Sequence, residues 1–304
     1  MNLLHKYANG NYTVSLYGDG TKVREYEETP VPVWPESMDV KVTDYCDANC
    51  GYCHEKSTTQ GLHGCIETGL KLFADLPAGT EIAIGGGNPL SWGSKLNVFT
   101  QKLHKQGVIC NLTINSIHLR KNWDWLLNST EHRSWGGAVY GVGVSYTKAF
   151  SKECIEFAEK YTHTVFHVIA GVHTVEEIQA IVERVKNPKI LVLGYKVYGR
   201  GEKYFSPTVE KTMYDWFTRI HEFFGKKGLV LSFDNLAIKQ LKLQRFFSKE
   251  EWEKFYMGDD GKFTMYVDLV KKEYAKSSTS TIRYQIKDTD TAQSIFNAIR
   301  NETA

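Results

Sequence analysis

From residue 39 onward, short apolar runs alternate with stretches of helical spacing. The runs are DVKVTD, EIAIGG, VICNLTIN, AVYGVGVS, TVFHVIA, KILVLGY and LVLSF. They stand roughly 25–40 residues apart, the length a right-handed crossover between parallel strands needs. Between them, Val175, Ile178, Ile181, Val182 and Val185 share one helical face. A second stripe (Val209, Met213, Trp216, Phe217, Ile220 and Phe224) follows Ser206 as N-cap and Pro207 in the first turn. Its aromatic members read as core. Six or seven such units in series predict an α/β fold, a partial (β/α)6-type TIM barrel over residues 39–235. A doubly wound open sheet competes, because spacing does not distinguish closure. In a barrel the working residues lie at the C-terminal ends of the strands.

The flanks follow other patterns. Residues 1–38 read as an appendage: NYTVSLY and KVREYEE flank a GDGT turn, a β-hairpin signal, before the proline-rich TPVPVWPES. Residues 236–304 read as a C-terminal α+β extension. A helix is expected around SKEEWEKFYM, then a hairpin over FTMYVDLVKKEYAKSS, then a terminal helix with Ala292, Ile295, Phe296 and Ile299 on one face.

At 304 residues, 42% of them hydrophobic and 24% charged, the chain has the composition of a globular protein with a sizeable core. Thirty-seven basic and 35 acidic side chains leave a net charge of +2, which offers no broad basic face to a nucleic acid. MNLLHKYANGNYT lacks the apolar stretch of a secretory signal, and no run is long enough to span a membrane. Six cysteines are too few for a disulfide framework and, with three of them clustered, suit a reducing compartment. The expectation is a cytoplasmic protein.

Those three, Cys46, Cys50 and Cys53, form a C-x3-C-x2-C array directly after the first core run. Three thiolates at this spacing suit an iron–sulfur cluster with one iron lacking a protein ligand. Zinc held by the same thiols and His54 is the alternative, although no second C-x2-C or H-x3-H segment is present to close such a site.

The array also resembles that of the radical S-adenosylmethionine (radical SAM) superfamily. Tyr52, before the third cysteine, matches the aromatic position whose backbone approaches the adenine. Gly85-Gly86-Gly87-Asn88-Pro89 resembles the Gly-Gly-Glu-Pro motif that holds the SAM amino group, with Asn88 in place of glutamate. His167-Val168-Ile169-Ala170-Gly171 resembles the Ile-x-Gly adenine segment, with Thr174 where glutamate often stands. Asn115 and Ser145 fall where polar residues contact the ribose and carboxylate.

The resemblance covers about residues 39–235 and implies a [4Fe–4S] cluster on Cys46, Cys50 and Cys53, with SAM chelating the fourth iron. It further implies reductive cleavage of SAM and abstraction of hydrogen from a substrate, with a flavodoxin- or ferredoxin-type electron donor. Tyr52, Gly86, Gly87, Asn88, Asn115, Ser145, Ile169 and Gly171 are the expected cofactor contacts. Lys196, Arg200 and Asp234, beyond the sixth and seventh strands, are the candidate substrate contacts: the two cations for a carboxylate, Asp234 for an amine or hydroxyl. The expected substrate is a peptide or protein side chain, or a small metabolite. A non-catalytic SAM-binding redox sensor and a nucleotide- or tRNA-modifying enzyme are the alternatives.

Overall fold

The computed structural model describes residues 2–130 and 137–301. Three antiparallel strands come first: β1 (Leu3–Asn9), β2 (Tyr12–Tyr17) and β3 (Lys22–Glu25). The expected hairpin across GDGT is β2–β3, and β1 adds to it through a tight turn at Gly10. That residue has φ +71°, and a Cβ on it would lie 1.9 Å from the Val31 carbonyl oxygen.

The seven apolar runs become β4 (Ser37–Thr43), β5 (Glu81–Gly86), β6 (Ile109–Asn115), β7 (Gly141–Ser145), β8 (Thr164–Ile169), β9 (Lys189–Leu193) and β10 (Val230–Phe233). Consecutive strands pair in parallel through helical crossovers, as a partial TIM barrel requires. The C-terminal hairpin also forms, as β11 (Thr264–Asp268) and β12 (Glu273–Ala275), with β13 (Tyr284–Gln285) beyond. It does more than cap the barrel. β11 pairs in parallel with β4, setting Tyr266 beside Asp39 and Asp268 beside Lys41. Among the described residues the barrel sheet therefore holds eight parallel strands, the last from the C-terminal extension.

Alternation along β4 sorts its two faces. Met38, Val40 and Val42 are buried in the main apolar core, whereas Asp39 and Lys41 line the barrel lumen. Parallel strands are ordinarily apolar on both faces, so charge on the inner face marks a lumen with work to do.

Caps hold the helices, and the one at Ser206 was expected. Thr174 and Glu177 form a capping box on helix Val175–Arg184, and Ser206 caps Pro207–Arg219. In the terminal helix Ala292–Arg300, Ala292, Ile295, Phe296 and Ile299 are all buried, and Asp75 accepts the Ala292 and Gln293 amides at 3.0 Å. The N-terminal sheet closes the lower end of the barrel. Tyr140 Oη donates to the Gly18 carbonyl at 2.6 Å, Lys22 Nζ lies 2.9 Å from a Glu81 carboxylate oxygen, and Asp19 and Gly20 line the lumen. Among the described residues, no helix is long and apolar enough to cross a membrane.

Candidate cofactor and substrate site

β4 delivers the chain into the cysteine loop at the upper mouth of the barrel. Main-chain bonds fold the loop back on itself: the Cys46 amide donates to Thr58 O at 2.9 Å, Thr58 N to Asp44 O at 3.2 Å, and Asp44 N to Leu62 O at 2.8 Å. Asn49 and Lys56 take left-handed φ values of 49° and 56°, which turn the chain around the thiols.

The end of β5 docks on this loop. The Gly87 amide donates to Thr43 O at 2.7 Å and the Asn88 amide to Tyr45 O at 2.6 Å. A Cβ at Gly86 (φ +110°) would lie 2.5 Å from Thr43 O, and one at Gly87 would lie 2.2 Å from Tyr45 O. Glycine is thus required here by the closeness of two backbones. The Asn88 side chain turns back onto its own segment. Its Oδ1 accepts the Leu90 amide at 3.2 Å, capping a short 3-10 turn, and the residue is buried outside the lumen wall.

The segment after β9 clamps the loop from the other side. Arg200 donates Nε to Cys50 O at 2.9 Å, Nη1 to Ser57 O at 3.0 Å and its amide to Cys53 O at 2.9 Å. Arg200 was expected to meet a carboxylate; it meets three loop carbonyls and does not line the lumen. Gly199 permits the approach, since a Cβ there would lie 2.3 Å from His54 O. The Tyr52 ring packs edge-on against Tyr204, with centroids 5.7 Å apart.

All three thiols of Cys46, Cys50 and Cys53 are free and half-buried, and they line one cavity of about 710 Å³. Burial raises the Cys46 and Cys50 thiols above the ordinary range, with neighbouring thiols adding to it. Asn115 Nδ2 lies 3.4 Å from Cys50 Sγ while its Oδ1 accepts the Ile117 amide at 3.1 Å. A single tetrahedral ion draws its ligand atoms close together. Among the described residues, the side chains gathered within 4.8 Å of one another are Cys46, Asp47 and His118, with His118 Nε2 2.7 Å from Asp47 Oδ1. Cys50 and Cys53 stand outside that group.

Tyr52, Gly86, Gly87, Asn115, Ser145 and Ile169 line the same cavity, as do Lys196 and Asp234. Gly171 lies behind it: at φ +101° it turns the chain after β8, and a Cβ would lie 2.7 Å from Met213. Thr174, where the resemblance anticipates glutamate, is the helix cap described above. Asp234 spends Oδ1 on the Gly194 and Ala237 amides at 2.9 and 2.7 Å. Lys196 Nζ donates to Ser278 Oγ at 2.9 Å and lies 3.4 Å from His54 Nε2, joining the cysteine loop to the C-terminal segment.

Several lumen residues escaped the sequence reading. Lys41 is 3% exposed and meets Asp44 at 2.5 Å, Glu55 at 2.7 Å and Asp268 at 3.2 Å. Burial alone would lower its pKa, but the carboxylates outweigh it and raise it. Burial likewise opposes Glu55, yet His54 and Lys41 hold that carboxyl well below its usual range. His167 projects over Gly143, whose missing Cβ would lie 2.3 Å from the imidazole, and burial lowers its pKa to about 4. His173 accepts the Ile169 amide on Nδ1 at 2.8 Å, so Nε2 carries the proton and donates to Tyr146 O at 2.7 Å. The signal available was the charge at alternate positions of β4, an apolar run with Asp39 and Lys41 on one face.

This partial-barrel fold is shared by solved proteins that were bound to S-adenosylmethionine. SuiB and anSMEcpe are two of them. Streptococcus suis SuiB, solved with S-adenosylmethionine, matches at a TM-score of 0.61 and 12% identity over 89% of this chain and 69% of its own. The protein anSMEcpe, solved with AdoMet and a Kp18Cys peptide, matches at a TM-score of 0.53 and 14% identity over 88% of this chain and 80% of its own. No protein-family model and no curated protein sequence matches the chain.

Proposed function

We propose that this chain is a radical SAM enzyme acting on a peptide side chain or a small metabolite. One observation carries the reading: three free thiols on one braced loop share a lumen with the glycine-rich end of β5. Cys46, Cys50 and Cys53 would hold a [4Fe–4S] cluster, and the donor set fits it. Burial raises the Cys46 and Cys50 thiols, so a bound cation would have to draw off their protons. Bound there with SAM, such a cluster would supply one-electron reduction of the sulfonium and, through it, hydrogen-abstraction chemistry on the substrate.

The chain's own residues position and enclose. Tyr52, Gly86, Gly87, Asn115, Ser145 and Ile169, which line the cavity along the tops of β4 to β8, would contact SAM. Asn88 and Gly171 shape the turns behind that wall, and Arg200 fixes the loop that carries the thiols. Lys196 and Asp234 face the lumen from the opposite wall, where substrate would sit. The N-terminal sheet, bonded to the barrel at Gly18 and lining the lumen with Asp19 and Gly20, would help keep water from the reaction. A peptide substrate draws support from anSMEcpe, which was solved with one. A flavodoxin- or ferredoxin-type protein is the proposed electron donor.

Anaerobic reconstitution with iron and sulfide tests this directly. The expected product is a brown protein with about four irons and four sulfides per chain, whose spectrum changes when SAM is added. Uptake of about one zinc with no iron or sulfide overturns the reading.

A further inference from the structure

We propose that Asn115 is a positioning residue for electron uptake: its side-chain amide donates to Cys50 Sγ and thereby favours the reduced form of the centre those thiols would hold. This rests on the reading of Cys46, Cys50 and Cys53 as cluster ligands. Asn115 closes β6, 65 positions beyond Cys50, and its Nδ2 lies 3.4 Å from that sulfur.

Which end of the amide faces the sulfur is fixed locally. The Ile117 N–H needs an oxygen, and Asn115 Oδ1 accepts it at 3.1 Å, capping the short helix Ser116–Leu119. That bond turns the nitrogen toward Cys50. The same turn is tied to the cysteine loop a second time. His118, 2% exposed, donates Nε2 to Asp47 Oδ1 at 2.7 Å, and its buried Nδ1 has no partner. An imidazole buried with one nitrogen unsatisfied is held by the bond it does make, here to the residue after Cys46. Between the two, Ser116 Oγ lies 2.8 Å from Thr147 Oγ1 in the segment after β7. Asn115 therefore meets Cys50 from a turn fastened both to the loop and to the neighbouring strand end.

The energetic consequence follows from charge. One electron from the flavodoxin- or ferredoxin-type donor adds negative charge shared by the thiolates, with no proton moved and no bond broken. An N–H aimed at one of those sulfurs binds the more negative state more strongly, and hydrogen bonds to ligand sulfur help set such potentials. Tyr52 bonds the same thiol from within the loop, so Asn115 is the contact that arrives from the barrel wall. Its Nδ2 carries a second hydrogen, which leaves it the contact to SAM proposed above.

The test measures the reduction potential of reconstituted full-length protein by electron paramagnetic resonance at set potentials, first without SAM and then with it. Asn115→Ser and Asn115→Thr keep a neutral acceptor for the Ile117 amide but bring no N–H to Cys50. Each is expected to hold about threefold less reduced protein at a given potential, a downward shift of about 28 mV for one electron. Asn115→Asp keeps the shape and the cap but sets a carboxylate against the sulfur. There the expected change is at least about tenfold, about 59 mV. A residue that only caps the helix would leave all three at the wild-type potential. If one variant does not fold by far-ultraviolet circular dichroism, the others decide. Unmoved potentials in protein carrying about four irons overturn the inference and leave the enzyme reading standing. So does a shift that appears only with SAM, which would assign the amide to the sulfonium compound. Loss of iron in all three variants overturns it as well, since Asn115 would then hold the loop together rather than favour the reduced state. A wild type that takes up zinc and no iron sinks the enzyme reading itself, and this inference with it.

Discussion

Arg200 Nε donates to the carbonyl oxygen of Cys50 at 2.9 Å, although the two residues lie 150 positions apart. The bond ties the cysteine loop to the segment after β9, so the thiols are positioned by the sheet as a whole. Lysine cannot reproduce it, because an ammonium offers a point charge where the guanidinium spans two carbonyls. Arg200→Lys is expected to lower the stability of the metal-free protein by about 2 kcal/mol. After identical reconstitution it should retain less iron in air, with both effects read by urea unfolding and iron assay.

Gly87→Ala should be far more damaging than its size suggests. The added Cβ would lie 2.2 Å from Tyr45 O, and that oxygen is backbone. Separating β5 from the cysteine loop is expected to cost about 1–3 kcal/mol and to weaken SAM binding, measured by unfolding and dialysis. Gly93, where nothing lies within 4 Å of an added Cβ but φ is +61°, provides a comparison: strain without a clash.

Lys41 neutralises Asp44, Glu55 and Asp268 in a buried corner joining β4, the cysteine loop and β11. Lys41→Met would leave those carboxylates without their shared cation, and a loss of about 3–5 kcal/mol is expected at neutral pH. Adding Glu55→Gln should recover part of it, a coupling that a double-mutant cycle in urea measures.

His167 makes stability depend on pH with a definite sign. Its folded pKa is depressed to about 4 by burial, against roughly 6.5 in an unfolded chain. The unfolded state therefore binds more protons between those values, so stability falls as pH drops from about 6.5 to about 4. The full contribution is at most about 3 kcal/mol. His167→Gln should flatten that part of the pH profile of the metal-free protein, measured by urea unfolding at each pH.

The barrel strands were legible because each is an apolar run bounded by turns, and the terminal helix because Ile295, Phe296 and Ile299 recur at helical spacing. The thiol loop was legible because its residues are neighbours in sequence. What escaped depended on closure. Nothing in the spacing of β11 announces that it lands beside β4, and that pairing is what brings Asp268 to Lys41 and Tyr266 to Asp39. Arg200 read as a partner for a carboxylate because its real partners are main-chain carbonyls, which sequence does not display. Asn88 read as a cofactor contact from its place in the motif, while the cap its Oδ1 gives the Leu90 amide, a bond short polar side chains often make, shows only in the folded chain.

The central claim meets its most direct test in 5′-deoxyadenosine formed when reconstituted protein is reduced in the presence of SAM. Wild-type protein should produce it, and alanine at Cys46, Cys50 or Cys53 should abolish it along with the iron. Iron-loaded wild type that binds SAM yet yields no 5′-deoxyadenosine, or cysteine variants that yield as much as wild type, would contradict the account.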